Sequence, residues 1–211
     1  MANKEKSESK STMLKNVLCL FIVTLVAVFL LAVVYQITKE PIEAAEEQAK
    51  ADVYATVFVD ATGFNELDGA DDYITQSADL LAENDITTCT IDETLVAVDD
   101  SGETLGYVIA ATSSSGYGGD IQIAIGVSLD GTITGFDVIS NSETAGLGAK
   151  STEDEFTDQF DGLSANSLIS FTKTGATADN EIDAISGATI TTTAVTEAVN
   201  SAIIFYQTYL A

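Results

Sequence analysis

Small and hydroxyl-bearing residues crowd a stretch near the C-terminus whose composition suits a phosphate group. Residues 183–192 read Asp-Ala-Ile-Ser-Gly-Ala-Thr-Ile-Thr-Thr. Gly187 permits backbone conformations barred to other residues, and Ala188 adds only a methyl group, so the backbone is open to a ligand there. Thr189 follows with a hydroxyl. The chemistry indicated is a phosphate bound beside Thr189 or esterified to it.

The element that must position these residues is a helix that begins directly after them. The free N–H groups and the macrodipole of a helix N-terminus both favour an anion. The stretch also has a purely structural interpretation, a turn followed by a threonine N-cap that stabilises the helix by about 1 kcal/mol. The helix is predicted because apolar residues recur at helical spacing from about Thr192, at Val195, Ala198, Val199, Ala202, Ile203 and Tyr206.

Two glycine-rich loops precede this stretch in the chain. Residues 113–119 read Ser-Ser-Ser-Gly-Tyr-Gly-Gly, which places Tyr117 among residues that let the backbone approach a ligand. Residues 143–148 read Glu-Thr-Ala-Gly-Leu-Gly. Taken alone, the first loop also has a purely structural interpretation as a flexible connection.

Together the three stretches resemble the FMN-binding domain family. Residues 183–189 are similar to its flavinylation motif, Asp-x-x-Ser/Thr-Gly-Ala-Thr, and residues 116–119 to its Gly-Tyr-Gly-Gly segment. Residues 143–148 resemble Glu-Thr-Pro-Gly-Leu-Gly, with Ala145 replacing the common proline and its φ constraint. The resemblance continues through Lys150 and residues 156–160, and covers the chain from about Gly106 on.

The resemblance implies a covalent flavin. In the family the last threonine of the motif carries FMN through a phosphoester bond, and a flavin transferase reads the motif and delivers FMN from FAD. The implied attachment point is Thr189. The loop at 143–148 is implied to lie beside the flavin ring. The implied cofactor-binding residues are Thr189, Asp183, Ser186, Gly187, Ala188, Thr192, Glu143, Thr144, Gly146, Leu147, Gly148 and Tyr117.

Within this family the chain most resembles the G subunit of Rnf-type electron-transport complexes, which is related to the C subunit of sodium-pumping NADH:quinone reductase. That resemblance implies a redox subunit with other membrane subunits as partners. Two alternatives stay open, a stand-alone exported flavoprotein for extracellular electron transfer and a non-redox exported scaffold module. A hydrolase is disfavoured because the chain has no histidine, although Lys150 or Lys173 remain as candidate bases.

One membrane-spanning helix is predicted at residues 17–37, after a cytoplasmic N-terminus at 1–16. No charge occurs between Lys15 and Lys39, and residues 17–34 contain 14 Leu, Ile, Val or Phe. A crossing needs about 20 residues, and these side chains favour insertion by roughly 4 to 8 kcal/mol. The alternative is a cleaved signal peptide, which has a shorter apolar region, of about 7 to 15 residues, and a small-residue cleavage site close behind it. The sequence meets neither condition.

Charge predicts which side of the membrane the domain occupies and what it avoids. Lysines 4, 6, 10 and 15 precede the apolar run, so the N-terminus is expected in the cytoplasm and the rest outside. From Lys39 on there are 4 Lys and 31 Asp or Glu, a net charge near −27, which disfavours nucleic acid and anionic lipid surfaces. Cys89 is the one exported thiol, so neither an intramolecular disulfide nor a cysteine metal site is expected.

The fold class predicted for the exported part is α+β. A membrane-proximal helix is expected at 38–60, with Pro41 in its first turn, and an FMN-binding domain at 61–211, best matched from about 94. Residues 62–85 are expected to be mostly loop, with room for one short strand. Four strands of an antiparallel sheet are expected at 95–98, 105–111, 121–129 and 132–139, with Asp130-Gly131 as a hairpin turn. A helix at 153–160, a strand at 168–173 and the C-terminal helix complete the domain.

Overall fold

The first helix of the protein carries its apolar run. The computed structural model describes residues 2–211, with side chains for Met13 and residues 15–211. Lysines 4, 6 and 10, on which the predicted orientation depends, have side chains outside this described part. Helix α1 covers Ala2–Val57 and contains one segment long and apolar enough to cross a membrane.

Side chains of the apolar run are exposed. Phe29 and Leu31 are 64% and 70% exposed, and the hydroxyl of Thr24 donates back to the Leu20 carbonyl at 3.0 Å. An apolar surface whose polar groups are satisfied within the helix suits a hydrocarbon environment. The N-terminal helix therefore fits a single-pass membrane protein.

Pro41 lies inside α1 and not in the first turn of a separate helix, so that part of the prediction is wrong. Proline removes one backbone hydrogen bond but tolerates helical φ values. Residues favourable to a helix continue on both sides of it, and α1 continues through the site. The chain divides into two compact units, Met1–Gln48 and Ala49–Ala211.

The second unit is built on a five-stranded antiparallel sheet whose strands neighbour one another in chain order. This confirms the predicted α+β class, with an antiparallel sheet flanked by helices. The strands are β1 (Gly63–Glu66), β2 (Cys89–Val98), β3 (Thr104–Ser113), β4 (Ile121–Ser128) and β5 (Ile133–Ser140).

Strand β2 begins earlier than the sequence predicted. Its pairing with β3 shifts register between Ile91 and Glu93, which leaves Asp92 in a bulge. A bulge adds one residue and reverses the inward and outward alternation beyond it. The period of two was therefore recognisable only after the bulge, from Thr94 on.

The prediction that residues 62–85 are mostly loop is wrong. Besides β1, this region forms helix α2 (Ala70–Glu83), which starts after Gly69 in a left-handed conformation. Ser77 and Leu81 are buried, and Tyr73 and Ile74 pack against the core cluster. These residues follow helical spacing, but the acidic residues between them obscured the pattern.

The remaining elements follow the sheet. They are a 3-10 helix (Gly148–Thr152), α3 (Asp154–Thr157), a 3-10 turn (Asp158–Phe160), the parallel strands β6 (Ser170–Thr172) and β7 (Glu181–Asp183), and helix α4 (Thr189–Tyr209). Helix α4 buries its apolar stripe, including Val199 and Ile203, in the main core. The predicted helix at 153–160 is thus a short helix continued by a 3-10 turn, and the predicted strand at 168–173 is β6.

The end of α1 covers the other face of the sheet. Two strand glycines make room for it, because a Cβ on Gly126 or Gly135 would collide with the backbone of Val57. The hydroxyl of Thr134 donates to the Val57 carbonyl at 2.7 Å, which satisfies a carbonyl at the helix end. Phe58 is buried in the same apolar cluster as Val57.

Candidate functional site

A cavity of about 510 Å³ lies where three distant segments of the second unit meet. Ten residues line it: Tyr117 from the first glycine-rich loop, Glu143, Thr144, Leu147 and Gly148 from the second, and Gly187, Ala188, Thr189, Ile190 and Thr191 from the start of α4. Eight of these ten were predicted as site residues from the sequence. The volume lies within the range of about 300 to 1,000 Å³ of small-molecule sites.

Glu143 joins the three segments. One carboxylate oxygen accepts the backbone N–H of Gly118 at 3.0 Å, and the other accepts the hydroxyl of Thr191 at 2.8 Å. The second loop is therefore tied both to the loop of Tyr117 and to the first turn of α4. Gly148 sits against this contact, since a Cβ there would lie 2.5 Å from Thr191 Oγ1.

A second carboxylate holds the loop of Tyr117 at its other end. Glu197 on α4 accepts hydrogen bonds from Ser115 Oγ at 3.2 Å and Thr88 Oγ1 at 3.1 Å. Sequence reasoning missed Glu197, because nothing local links it to a residue 82 positions away. Tyr117 itself is 70% exposed at the edge of the cavity.

The turn that leads into α4 is fixed by Thr192. Its buried hydroxyl accepts the Ile185 N–H at 3.1 Å and donates to the Ala188 carbonyl at 3.0 Å. Gly187 within this turn has φ +79°, and a Cβ there would lie 3.4 Å from Leu147 Cδ2. The helix thus begins at Thr189 with Ala188 at the N-cap position and without a side-chain cap.

Thr189 differs from the other hydroxyls of this stretch. Those of Thr191, Thr192 and Thr193 each donate to a protein oxygen. The Thr189 hydroxyl has no hydrogen-bond partner in the described part of the chain, and Thr189 lines the cavity. The backbone N–H groups of Thr189 and Ile190 likewise have no acceptor among the described residues, as expected for a helix N-terminus.

Four predicted site residues lie elsewhere. Asp183 and Ser186 border a separate pocket of about 190 Å³ that also includes Lys150. Thr192 is fully buried behind the turn. A Cβ on Gly146 would meet no atom within 4 Å, and Gly146 does not line the cavity.

Two cavity residues, Ile190 and Thr191, were not predicted as site residues. Both lie in the first turn of α4, and residues of one helical turn border the same space, so the position of Thr189 was a usable signal for them. Among the described residues, Glu143 is the one charged residue that lines the cavity. An anion would therefore depend on the N-terminus of α4.

Comparison with known proteins shows which sequence families the chain matches. Residues 116–204 match the FMN-binding domain, and residues 1–57 match the RnfG N-terminal region. The G subunit of the proton-translocating ferredoxin:NAD(+) oxidoreductase complex of Clostridium ljungdahlii is 30% identical over 203 residues, covering 96% of this chain and 95% of its own. The chain belongs to the G-subunit family of Rnf-type oxidoreductase complexes.

Two further proteins match over shorter spans. The G subunit of the Na(+)-translocating ferredoxin:NAD(+) oxidoreductase complex of Acetobacterium woodii is 45% identical over 108 residues, 51% of this chain and 52% of its own, so this match spans about half of each. The crystal structure of the C subunit of Na(+)-translocating NADH-quinone reductase from Parabacteroides distasonis has a TM-score of 0.49 at 26% identity, with 63% and 67% of the two chains covered. All ten residues that line the cavity fall within the FMN-binding match.

Proposed function

We propose that the protein is an electron-transfer subunit of an ion-translocating oxidoreductase complex and carries FMN as a phosphoester on Thr189. One observation carries the attachment point. Of the hydroxyls between residues 186 and 193, that of Thr189 alone both borders the 510 Å³ cavity and lacks a hydrogen-bond partner among the described residues.

The residues around Thr189 fit the parts of FMN. The unpaired N–H groups at the N-terminus of α4 would hold the phosphate, since no lysine of the described part of the chain lines the cavity. Tyr117 and Leu147, both exposed at the cavity, would offer apolar surface to the isoalloxazine ring. When bound, FMN supplies one- and two-electron transfer, while the protein sets its position and potential.

Glu143 and Glu197 would position these groups. Each carboxylate holds the loop of Tyr117 at a different residue, Gly118 or Ser115. Because Glu143 also places a negative charge in the cavity wall, it would disfavour added negative charge on a neighbouring ring.

The motif residues outside the cavity have a separate place in this proposal. Asp183 and Ser186 border the separate pocket that includes Lys150. An FMN bound in the cavity beside Thr189 would therefore leave both residues accessible. A flavin transferase reading the motif would contact this face. The Asp183 carboxylate also accepts the Ala176 N–H at 2.8 Å, which shapes the preceding loop.

The family supports the proposed complex, and the charge of the N-terminus supports the proposed membrane side. Relatives are subunits of ferredoxin:NAD(+) oxidoreductase complexes, so other membrane subunits are the proposed partners. The lysines at 4, 6, 10 and 15 favour a cytoplasmic N-terminus and a flavin domain outside. Protease added outside spheroplasts should digest the domain and spare an N-terminal tag; a protected domain would reverse this orientation.

The attachment is tested with variants of matched shape. The protein is produced with a flavin transferase, and flavin fluorescence is read on a denaturing gel. Thr189→Val should lose the fluorescent band. Thr193→Val should keep it, because that hydroxyl only donates to the Thr189 carbonyl. A peptide digest of the wild type should place one FMN on the fragment with Thr189.

Two outcomes would contradict the proposed attachment. Covalent flavin retained by Thr189→Val would remove Thr189 as the acceptor. A wild-type protein without covalent flavin, made beside a transferase that modifies another substrate in the same cells, would contradict the phosphoester.

A further inference from the structure

A second cavity, of about 560 Å³, lies between β2 and the N-terminal end of α2. It lies outside the matched FMN-binding region and shares no lining residue with the cavity beside Thr189. Six of its lining residues are acidic: Glu66, Asp68, Asp71, Asp72, Asp92 and Glu93. We refer to it as the acidic groove.

Two of the six carboxylates already have structural partners. Asp92 in the β2 bulge accepts hydrogen bonds from Thr112 Oγ1 at 2.6 Å and Gln122 Nε2 at 2.8 Å. Glu93 accepts the hydroxyl of Tyr54 at 2.7 Å. These contacts explain why two acidic residues occur in β2.

The other four carboxylates have no counter-charge among the described residues. Asp71 and Asp72 lie in the first turn of α2, where negative charge interacts favourably with the helix dipole. Glu66 ends β1 and Asp68 precedes Gly69, so the dipole does not account for them. No positively charged side chain of the described residues offsets the mutual repulsion of the four carboxylates.

A residue that lines the same groove also carries a buried hydroxyl without a partner among the described residues. Thr94 lines the acidic groove and is 3% exposed, and its Oγ1 makes no hydrogen bond to the described residues. Buried polar groups are nearly always paired, and an unpaired one calls for an explanation. A donor group supplied by a bound partner would provide it.

From this combination we infer that the acidic groove binds a lysine- or arginine-bearing segment of a protein partner. Ammonium and guanidinium groups neutralise carboxylates and donate several hydrogen bonds, which suits both the four unpaired carboxylates and the Thr94 hydroxyl. A single metal ion is a poor occupant, since no group of three or more described acidic or thiol side chains is placed to hold one.

The test uses the full-length protein in neutral detergent and a fluorescein-labelled hexalysine peptide as the probe. Anisotropy should report binding that weakens with salt. The triple variant Asp68→Asn, Asp71→Asn, Asp72→Asn should lower the affinity about tenfold. A control triple, Asp60→Asn, Asp100→Asn, Asp179→Asn, removes the same charge outside the groove and should lower it less than about twofold.

Thr94→Val distinguishes binding in the acidic groove from binding to the general negative charge of the domain. The substitution keeps the shape, removes a hydroxyl that has no partner among the described residues, and should lower hexalysine affinity about threefold without lowering the thermal unfolding temperature. Equal losses in the two triple variants, or unchanged affinity in Thr94→Val, would overturn the proposal. Binding of spermidine as tightly as hexalysine would show a small-cation site instead of a protein-docking groove.

Discussion

The hydroxyl of Thr191 donates to the Glu143 carboxylate at 2.8 Å, across 48 residues of sequence. The same carboxylate accepts the Gly118 N–H, so one side chain links both glycine-rich loops to the first turn of α4. The cavity has its shape because this contact holds its three walls together.

Glu143→Ala and Glu143→Gln should separate the positioning role of Glu143 from its charge. Alanine leaves Gly118 and Thr191 unpaired and should cost about 1 to 3 kcal/mol of stability. Glutamine can accept from Gly118 and donate to Thr191, so stability should be nearly kept. Its lost negative charge should raise the flavin reduction potential. Thermal unfolding and spectroelectrochemical titration measure the two effects; equal destabilisation by both substitutions would contradict this division.

Thr192 stabilises the turn before α4 and does not act as a helix cap. Thr192→Val keeps the shape but leaves the Ile185 N–H buried and unpaired, so we expect a loss of about 1 to 3 kcal/mol. Thr192→Ser keeps the hydroxyl and loses one methyl group, with an expected cost below about 1.5 kcal/mol. Chemical denaturation of both variants measures this order, and the reverse order would show that packing of the methyl group matters more.

Gly146 and Gly148 should respond differently to a side chain. A Cβ on Gly148 meets the Glu143 and Thr191 side chains, so Gly148→Val should alter the flavin absorption spectrum. Gly146 has φ +76° but open space, so Gly146→Ala should cost about 1 to 2 kcal/mol of backbone strain and leave the spectrum unchanged. Identical spectral changes in the two variants would show that the loop moves as a unit.

The carboxyl of Asp137 should lower the free energy of unfolding at neutral pH, and this destabilising contribution should disappear at acidic pH. Burial raises the pKa of its carboxyl, the Val138 N–H opposes this in part, and the charge of Asp154 raises the pKa further. Ionisation is therefore harder in the folded state, and the penalty disappears as pH falls toward the unfolded pKa of about 3.9. Asp137→Asn should stabilise the domain at pH 7 by less than about 1 kcal/mol, because solvent screens this half-exposed group, and by less at pH 4.

Asp130→Asn provides a control of opposite sign. Hydrogen bonds, first from Ser128 and then from Thr132, lower the pKa of Asp130. Its contribution is present above the unfolded pKa and is lost as pH falls through the folded value. This variant should be less stable than wild type at pH 7 and equal to it at low pH. Urea titrations at several pH values compare the two variants.

Much of the candidate site was predictable because its signals are local. Small residues, a hydroxyl and a following helical period identify the turn at 187–189, and the glycines identify the two loops. Sequence could not tell which side of the turn each residue faces. Asp183 and Ser186 thus fell on the Lys150 pocket, although they belong to the same motif as Thr189.

The fold followed a similar division. Regular alternation predicted β3, β4 and β5, whereas the bulge at Asp92 hid the start of β2 and acidic residues hid α2. The contacts of Glu143 and Glu197 were out of reach, because hydrogen bonds over long sequence separations leave no periodic signal.

The fit of Val57 against Gly126 and Gly135 determines where the chain can be shortened. A truncated version starting at Thr62 would lose Tyr54, Val57 and Phe58 and expose an apolar sheet face with glycine gaps, so it should aggregate on expression. A version starting at Ala49 retains the last two turns of α1. The soluble fragment suited to crystallisation or spectroscopy therefore begins inside helix α1, and not at the end of the apolar run.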